Sequence, residues 1–282
     1  MKSEELNRRD LIRAGLGSGF AAAVLPVQAQ TQIKTDAGGL VVGEVSVPAG
    51  AQKVPAYRAA PVGKSNAPVV LVVSEVFGVN EYIADVTRRL ARLGYFAIAP
   101  ELFERQGDAG SYGEVGKLLA EVVNKTPDRE VMADLDACVA WAKAQGADTN
   151  KLGITGFCWG GRITWLYAAH NPALKAGVAW YGHLAGASNA LQTAQPLDVA
   201  ARLQAPVLGL YGGQDAGIPL DSVEQMKRAL AAGSAAAKAS EIVVYPDAPL
   251  AFHADYRPSY RKADAQEGWR RSLAWFAAQG VA

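Results

Sequence analysis

Six short apolar runs recur along the chain, and most are separated by segments with helical periodicity. "APVVLVVSEVFG" is continuously apolar between Pro68 and Ser74, and Gly78 closes it; this is the pattern of a strand buried on both faces. "NEYIADVTRRLARLG" follows, with Asn80 as helix cap and Ile83, Val86, Leu90 and Leu93 on one face. The strands "YFAIAP", "KLGITG", "KAGVAWYG", "APVLGLYGG" and "EIVVYP" come next, interleaved with the helices "REVMADLDACVAWAKAQG", "GRITWLYAAH" and "PLDSVEQMKRALAAG". A last helix runs near residues 264–279. Buried strands alternating with helices imply an α/β fold, a mostly parallel sheet with helices on both faces. "GLVVGEVSVP" and "KVPAYRAAP" alternate and predict a leading hairpin. "LFERQGDAGSYGEVG" lacks strong periodicity and predicts a loop over the sheet's active end.

The 282 residues fit one such domain. With 28 basic and 27 acidic residues the formal charge is +1, so charge gives no reason to expect nucleic acid or an anionic membrane as partner. Two cysteines are too few for a disulfide framework. The N-terminal stretch "NRRDLIRAGLGSGFAAAVLPVQA" has an arginine pair, Arg8–Arg9, then a weakly apolar, glycine-containing run. Val27 and Ala29 are small residues at the spacing a signal peptidase reads. Residues 1–29 resemble a twin-arginine signal peptide, and 30–282 a single exported domain. The expected location is the periplasm. The expected partners are the twin-arginine translocase during export and a small-molecule substrate thereafter, with no stable membrane association once the signal is cleaved.

Chemistry enters at "LGITGFCWGGRITW". In a strand–turn–helix, G-x-nucleophile-x-G holds its central residue on a sharp turn that crowds out flanking side chains. Gly156 and Gly160 flank Cys158 in this way. The helix N-terminus beneath the thiol favours a thiolate, and the next backbone N–H can face an oxyanion. A buried thiol in a glycine-rich corner is the alternative. Downstream, "YGGQDAGIP" sets Asp215 just past the C-terminal end of a strand. The order nucleophile, then acid, then histidine is that of the α/β-hydrolases, which calls for a histidine after "EIVVYP". Cys138, between Leu135 and Trp141 on an apolar helix face, reads as core.

The stretches "SEVFGVNEYIADVTRRLARLGYFAIAPELFERQGD", "GITGFCWGGR", "VAWYGHLAG", "LYGGQDAGIP" and "FHADYRPSY" resemble, in order, those of the dienelactone hydrolase family. The resemblance spans residues 39–281 and implies an α/β-hydrolase fold. It also implies a Cys–Asp–His triad that hydrolyses lactones or esters with no metal or cofactor. From it, Glu75 is expected to hold the resting thiol and swing away when substrate binds. The backbone N–H groups of Val76 and Trp159 are expected to form the oxyanion hole. Arg105 is expected to bind a substrate carboxylate; Arg257 is a further candidate for that role or a structural ion-pair partner.

The pattern breaks at the base. In "YPDAPLAFHADYRPSY" the family's histidine position holds Leu250, which can neither accept nor donate a proton. His253 is the candidate on the expected loop. In an extended loop three residues span about 10 Å and would aim the imidazole elsewhere. In a helical turn the offset is about 5 Å on a shared face. His183, after "VAWYG", is a second candidate, and a thiolate working without histidine a third; His170, at the far end of its helix, reads as structural. Two readings of function stay open: a cysteine hydrolase of a small lactone or ester, and a hydrolase-fold protein that binds a small anionic ligand without turnover. A His-to-Leu variant of an active enzyme has the same sequence signature as the second.

Overall fold

The computed structural model describes residues 31–282. The arginine pair and the signal-peptide expectation lie outside these residues. The described chain builds one eight-stranded sheet in the order β1-β2-β4-β3-β5-β6-β7-β8. Its strands are β1 (Leu40–Ala49), β2 (Gln52–Pro61), β3 (Pro68–Val73), β4 (Phe96–Pro100), β5 (Asp148–Phe157), β6 (Ala176–Trp180), β7 (Val207–Gly212) and β8 (Glu241–Tyr245). β1 and β2 pair antiparallel, as does β2 with β4, while every pairing from β4 through β8 is parallel. All residues of β3, β4 and β6 are buried, as continuous apolar runs require in a sheet covered on both faces.

The helices are α1 (Glu81–Arg92), α2 (Val115–Glu121), α3 (Asp128–Ala144), α4 (Trp159–His170), α5 (Pro196–Val199), α6 (Leu220–Ala231), α7 (Ala235–Lys238) and α8 (Lys262–Ala278). Asn80 caps α1, its side chain accepting from the Ile83 N–H at 3.1 Å. Leu93 departs from expectation. It is the residue at which α1 ends, and it is 53 % exposed rather than on the apolar face. The segment expected as loop is loop for most of its length, but α2 begins inside it at Val115. Cys138 is fully buried, as its helix face predicts.

One ion-pair cluster sets the position of the last loop. Arg89 on α1 bonds Asp85 and Asp255, each at 2.5 Å. Both carboxylates are almost fully buried; Asp85 is also paired with Arg88 at 3.2 Å, but Asp255 would be left an uncompensated charge if its Arg89 pair were broken. This ties the segment after β8 to the helix after β3, and so holds Tyr256 and Arg257 beside the β3 loop that carries Glu75.

Candidate active site

The elbow is formed as its glycines require. Cys158 stands between β5 and α4 with φ 55° and ψ −113°, a left-handed conformation that strains a residue bearing a Cβ. A Cβ on Gly156 would lie 2.0 Å from the Gly160 carbonyl oxygen, and one on Gly160 would lie 2.3 Å from that of Val73. Only glycine fits either place. The Cys158 N–H donates to Trp180 O at 3.0 Å, which pins the turn to the end of β6. The thiol is half-buried over the first turn of α4.

The helix N-terminus does not make Cys158 a resting thiolate, and this corrects the sequence expectation. Burial is the largest influence and pushes the thiol up to about 12, with Glu75 and Asp215 adding to the rise. Arg257 and the Trp159 N–H pull the other way and are outweighed. At neutral pH the sulfur is therefore protonated and needs a base.

Glu75 follows β3 and is 1 % exposed. Tyr256 donates its hydroxyl to Oε2 at 2.7 Å, and Arg257 approaches Oε1 at 3.7 Å. Arg257 Nε also donates to the Tyr256 hydroxyl at 3.1 Å, and its guanidinium lies over the Phe77 ring at 5.0 Å. The carboxylate thus acts on the thiol through its charge, while its hydrogen bond among the described residues goes to Tyr256. Val76 follows Glu75 directly, and Trp159 follows Cys158. The Trp159 N–H lies close enough to the sulfur to favour its thiolate form. Among the described residues no partner takes the Val76 N–H.

Asp215 lies past the end of β7 and is 6 % exposed. Its Oδ1 accepts from the Gly217 N–H at 2.8 Å, while Oδ2 is buried with no hydrogen-bond partner among the described residues. Burial raises its pKa, offset in part by the bond from the Gly217 N–H and by the proximity of His183. A half-satisfied buried carboxylate is the state expected when its imidazole partner is lacking.

The loop after β8 shows why that partner is lacking. It packs onto the Asp215 loop: the Gly213 N–H donates to Tyr245 O at 2.7 Å, and the Gln214 N–H to Ala248 O at 3.0 Å. Leu250 follows, 38 % exposed. Ala251 then turns with φ 61°, so residues 250–253 are a tight turn rather than extended chain or helix. The turn sends His253 inward. Its Nδ1 bonds the Tyr82 hydroxyl at 2.6 Å, and its ring packs on Phe157, Trp180 and Trp269 with centroids 5.2, 4.4 and 5.9 Å away. Burial holds its pKa well below the ordinary imidazole value. His253 is a core residue of the face covered by α8, and this placement corrects the expectation that it serves as the base.

The Arg105 guanidinium grips Asp134 of α3 through two bonds of 2.5 and 2.7 Å and bonds Gln52, with Glu130 3.5 Å away. It is engaged by these scaffold groups, so a substrate carboxylate would have to compete with Asp134 for it. His170 bonds Asp136 at 2.7 Å at the far end of α4. His183 is exposed, two residues past Tyr181. Sequence reasoning missed Tyr256 and Tyr82, which hold Glu75 and His253. Each stands in a stretch that the sequence singles out, Tyr256 in "FHADYRPSY" and Tyr82 in "NEYIADVTRRLARLG", but nothing in the spacing marks either as a site residue.

Comparison with known proteins fits this geometry. Residues 54–280 match the model of the "Dienelactone hydrolase family". A "Putative carboxymethylenebutenolidase" of Methylorubrum extorquens is 60 % identical over 278 residues, covering 98 % of this chain and 94 % of its own. The Escherichia coli K12 protein of the same name is 53 % identical over 264 residues, covering 93 % and 96 %. The crystal structure of a "Putative Dienelactone Hydrolase" from Klebsiella pneumoniae superposes with a TM-score of 0.82 at 54 % identity over 84 % of this chain and 98 % of that one. With its mostly parallel eight-stranded sheet and its cysteine elbow, the chain belongs to the dienelactone hydrolase family.

Proposed function

We propose that the protein hydrolyses small esters or lactones through a thioester on Cys158. The observation that carries this reading is the strained elbow, which holds a thiol over a helix N-terminus beside a buried, half-satisfied Asp215. The names of its relatives, carboxymethylenebutenolidase and dienelactone hydrolase, favour a lactone among the candidate substrates.

In this mechanism the sulfur attacks the carbonyl carbon while its proton passes to a base. The N–H groups of Val76 and Trp159 receive the oxyanion. Arg257 would take a substrate carboxylate in exchange for Glu75. That exchange removes one of the charges holding the thiol protonated and couples substrate binding to activation. The leaving alkoxide takes the proton back, water hydrolyses the thioester, and the thiol is regenerated. With leucine at 250, proton transfer is the slow part, because a positioned base contributes roughly 10²–10⁴-fold in rate.

Leu250 also favours a second reading, in which the site binds a small carboxylate and does not turn it over. Hydrolysis of p-nitrophenyl acetate and of an unsaturated lactone by the intact chain and by Cys158→Ala separates the two. Turnover lost with the thiol supports the hydrolase; binding of a carboxylate without any thiol-dependent turnover supports the second reading. Export to the periplasm under a twin-arginine signal is part of the proposal and rests on the Arg8–Arg9 segment.

A further inference from the structure

We propose that His183 serves as the acid–base group of this site, held by Asp215, in place of the imidazole that Leu250 cannot supply. This rests on the thiol-hydrolase reading given above. Three observations carry it.

The first is topological. The strands run β5-β6-β7-β8 across the sheet. Cys158 leaves β5, His183 leaves β6, Asp215 leaves β7 and Leu250 leaves β8. His183 therefore springs from the strand end between nucleophile and acid. Backbone bonds lock that placement: the Cys158 N–H donates to Trp180 O at 3.0 Å and the Tyr181 N–H to Leu210 O at 2.8 Å. Gly182 is packed on the first turn of α4, where a Cβ would fall 2.3 Å from the Gly161 carbonyl carbon. The chain cannot drift from the elbow before His183 begins.

The second is the unpartnered Oδ2 of Asp215, a polar atom buried within a carboxylate that is 6 % exposed. It lacks a donor, and Leu250 has none to give. The third is elimination among the described histidines. His253 is locked inward on Tyr82, and His170 is bound to Asp136. His183 is exposed, hence free to change rotamer, and it is the imidazole near enough to Asp215 for the two to interact electrostatically.

Balanced as a reaction, the proton on Cys158 Sγ moves to His183 as the S–C bond forms. The imidazolium then protonates the alkoxide as the C–O bond breaks. His183 next takes a proton from water as the new C–O bond forms, and returns it to the sulfur as the thioester breaks. Because no hydrogen bond joins His183 to Asp215 in the resting site, its share lies toward the low end of what a base supplies.

The test compares p-nitrophenyl acetate hydrolysis by the full chain, His183→Ala, Cys158→Ala, Leu250→His and the His183→Ala/Leu250→His double variant. His183→Ala is expected to lower kcat by about tenfold or more. Free imidazole should restore part of that loss, and Leu250→His should suppress most of it. A structural role for His183 would give the same loss in both backgrounds and no rescue, and would overturn the proposal, as would an unaltered rate in His183→Ala. Turnover that survives Cys158→Ala is a different result: it sinks the thiol reading itself.

Discussion

Replacing Leu250 with histidine is expected to raise ester hydrolysis by about 10²-fold. The loop from Tyr245 to Pro249 backs onto residues 212–214, so a side chain at 250 leaves the turn beside Asp215. Leucine there is 38 % exposed, and losing its partial burial costs about 1–2 kcal/mol. A bond from the new imidazole to the unpartnered Asp215 Oδ2 returns about 1.5–3 kcal/mol, so the variant should fold with nearly unchanged Tm. A positioned base offers roughly 10²–10⁴-fold, about 2.7–5.5 kcal/mol of barrier, and His183 already supplies part of it. The assay is kcat/KM for p-nitrophenyl acetate at fixed pH, with thermal unfolding measured on the same samples. Asp215→Asn in the Leu250→His background should erase most of the gain. A folded Leu250→His protein with no gain would refute the reasoning, because position 250 would then not face the acid.

Other expectations follow from the buried groups. Cys158 should react with iodoacetamide faster than Cys138, which is fully buried and whose thiol is likewise pushed up by burial; equal rates would count against the elbow reading. Because burial pushes the Cys158 thiol up to about 12, its thiolate fraction should grow about tenfold per pH unit, with no plateau between about pH 7 and 9. Glu75→Gln should speed that labelling at any one pH, since it removes a charge that favours the protonated thiol. His253 is held neutral by burial and has a lowered pKa, so stability is retained above the unfolded imidazole value, about 6.5, and should fall as pH drops below it. His253→Phe should flatten that acid dependence in thermal unfolding, and an unaltered slope would assign it to another group. Changing Arg8 and Arg9 to lysine should leave the precursor in the cytoplasm on fractionation, and mature protein in the periplasm would exclude the twin-arginine route.

The sheet was legible because its strands are apolar runs that no other buried element of that length explains, and Asn80 marks the start of α1 by its side-chain chemistry. Leu93 was misplaced because periodicity continues through a helix end that only backbone geometry marks. Helices α5 and α7, four residues each, are too short to show a period. At the site, Cys158 and its glycines were readable because close backbone packing admits no other residue at those two flanking positions. The thiol's protonation state was not readable, since it depends on burial and on Glu75, more than eighty positions away in the chain. The direction of His253 depends on the left-handed turn at Ala251, a conformation alanine rarely signals. The scaffold partners of Arg105 were not readable because they come from a helix that begins more than twenty residues later.

The central claim is that Cys158 carries the acyl group. Rapid acid quench of the protein during turnover of p-nitrophenyl acetate, followed by peptide mass spectrometry, tests it directly. Because the base is poor, deacylation should be slow and the thioester should accumulate. The account predicts one acetyl group on the peptide containing Cys158, appearing with the p-nitrophenol burst and missing in Cys158→Ala. An acetyl group on any other residue during turnover, or continued turnover by Cys158→Ala, would contradict it.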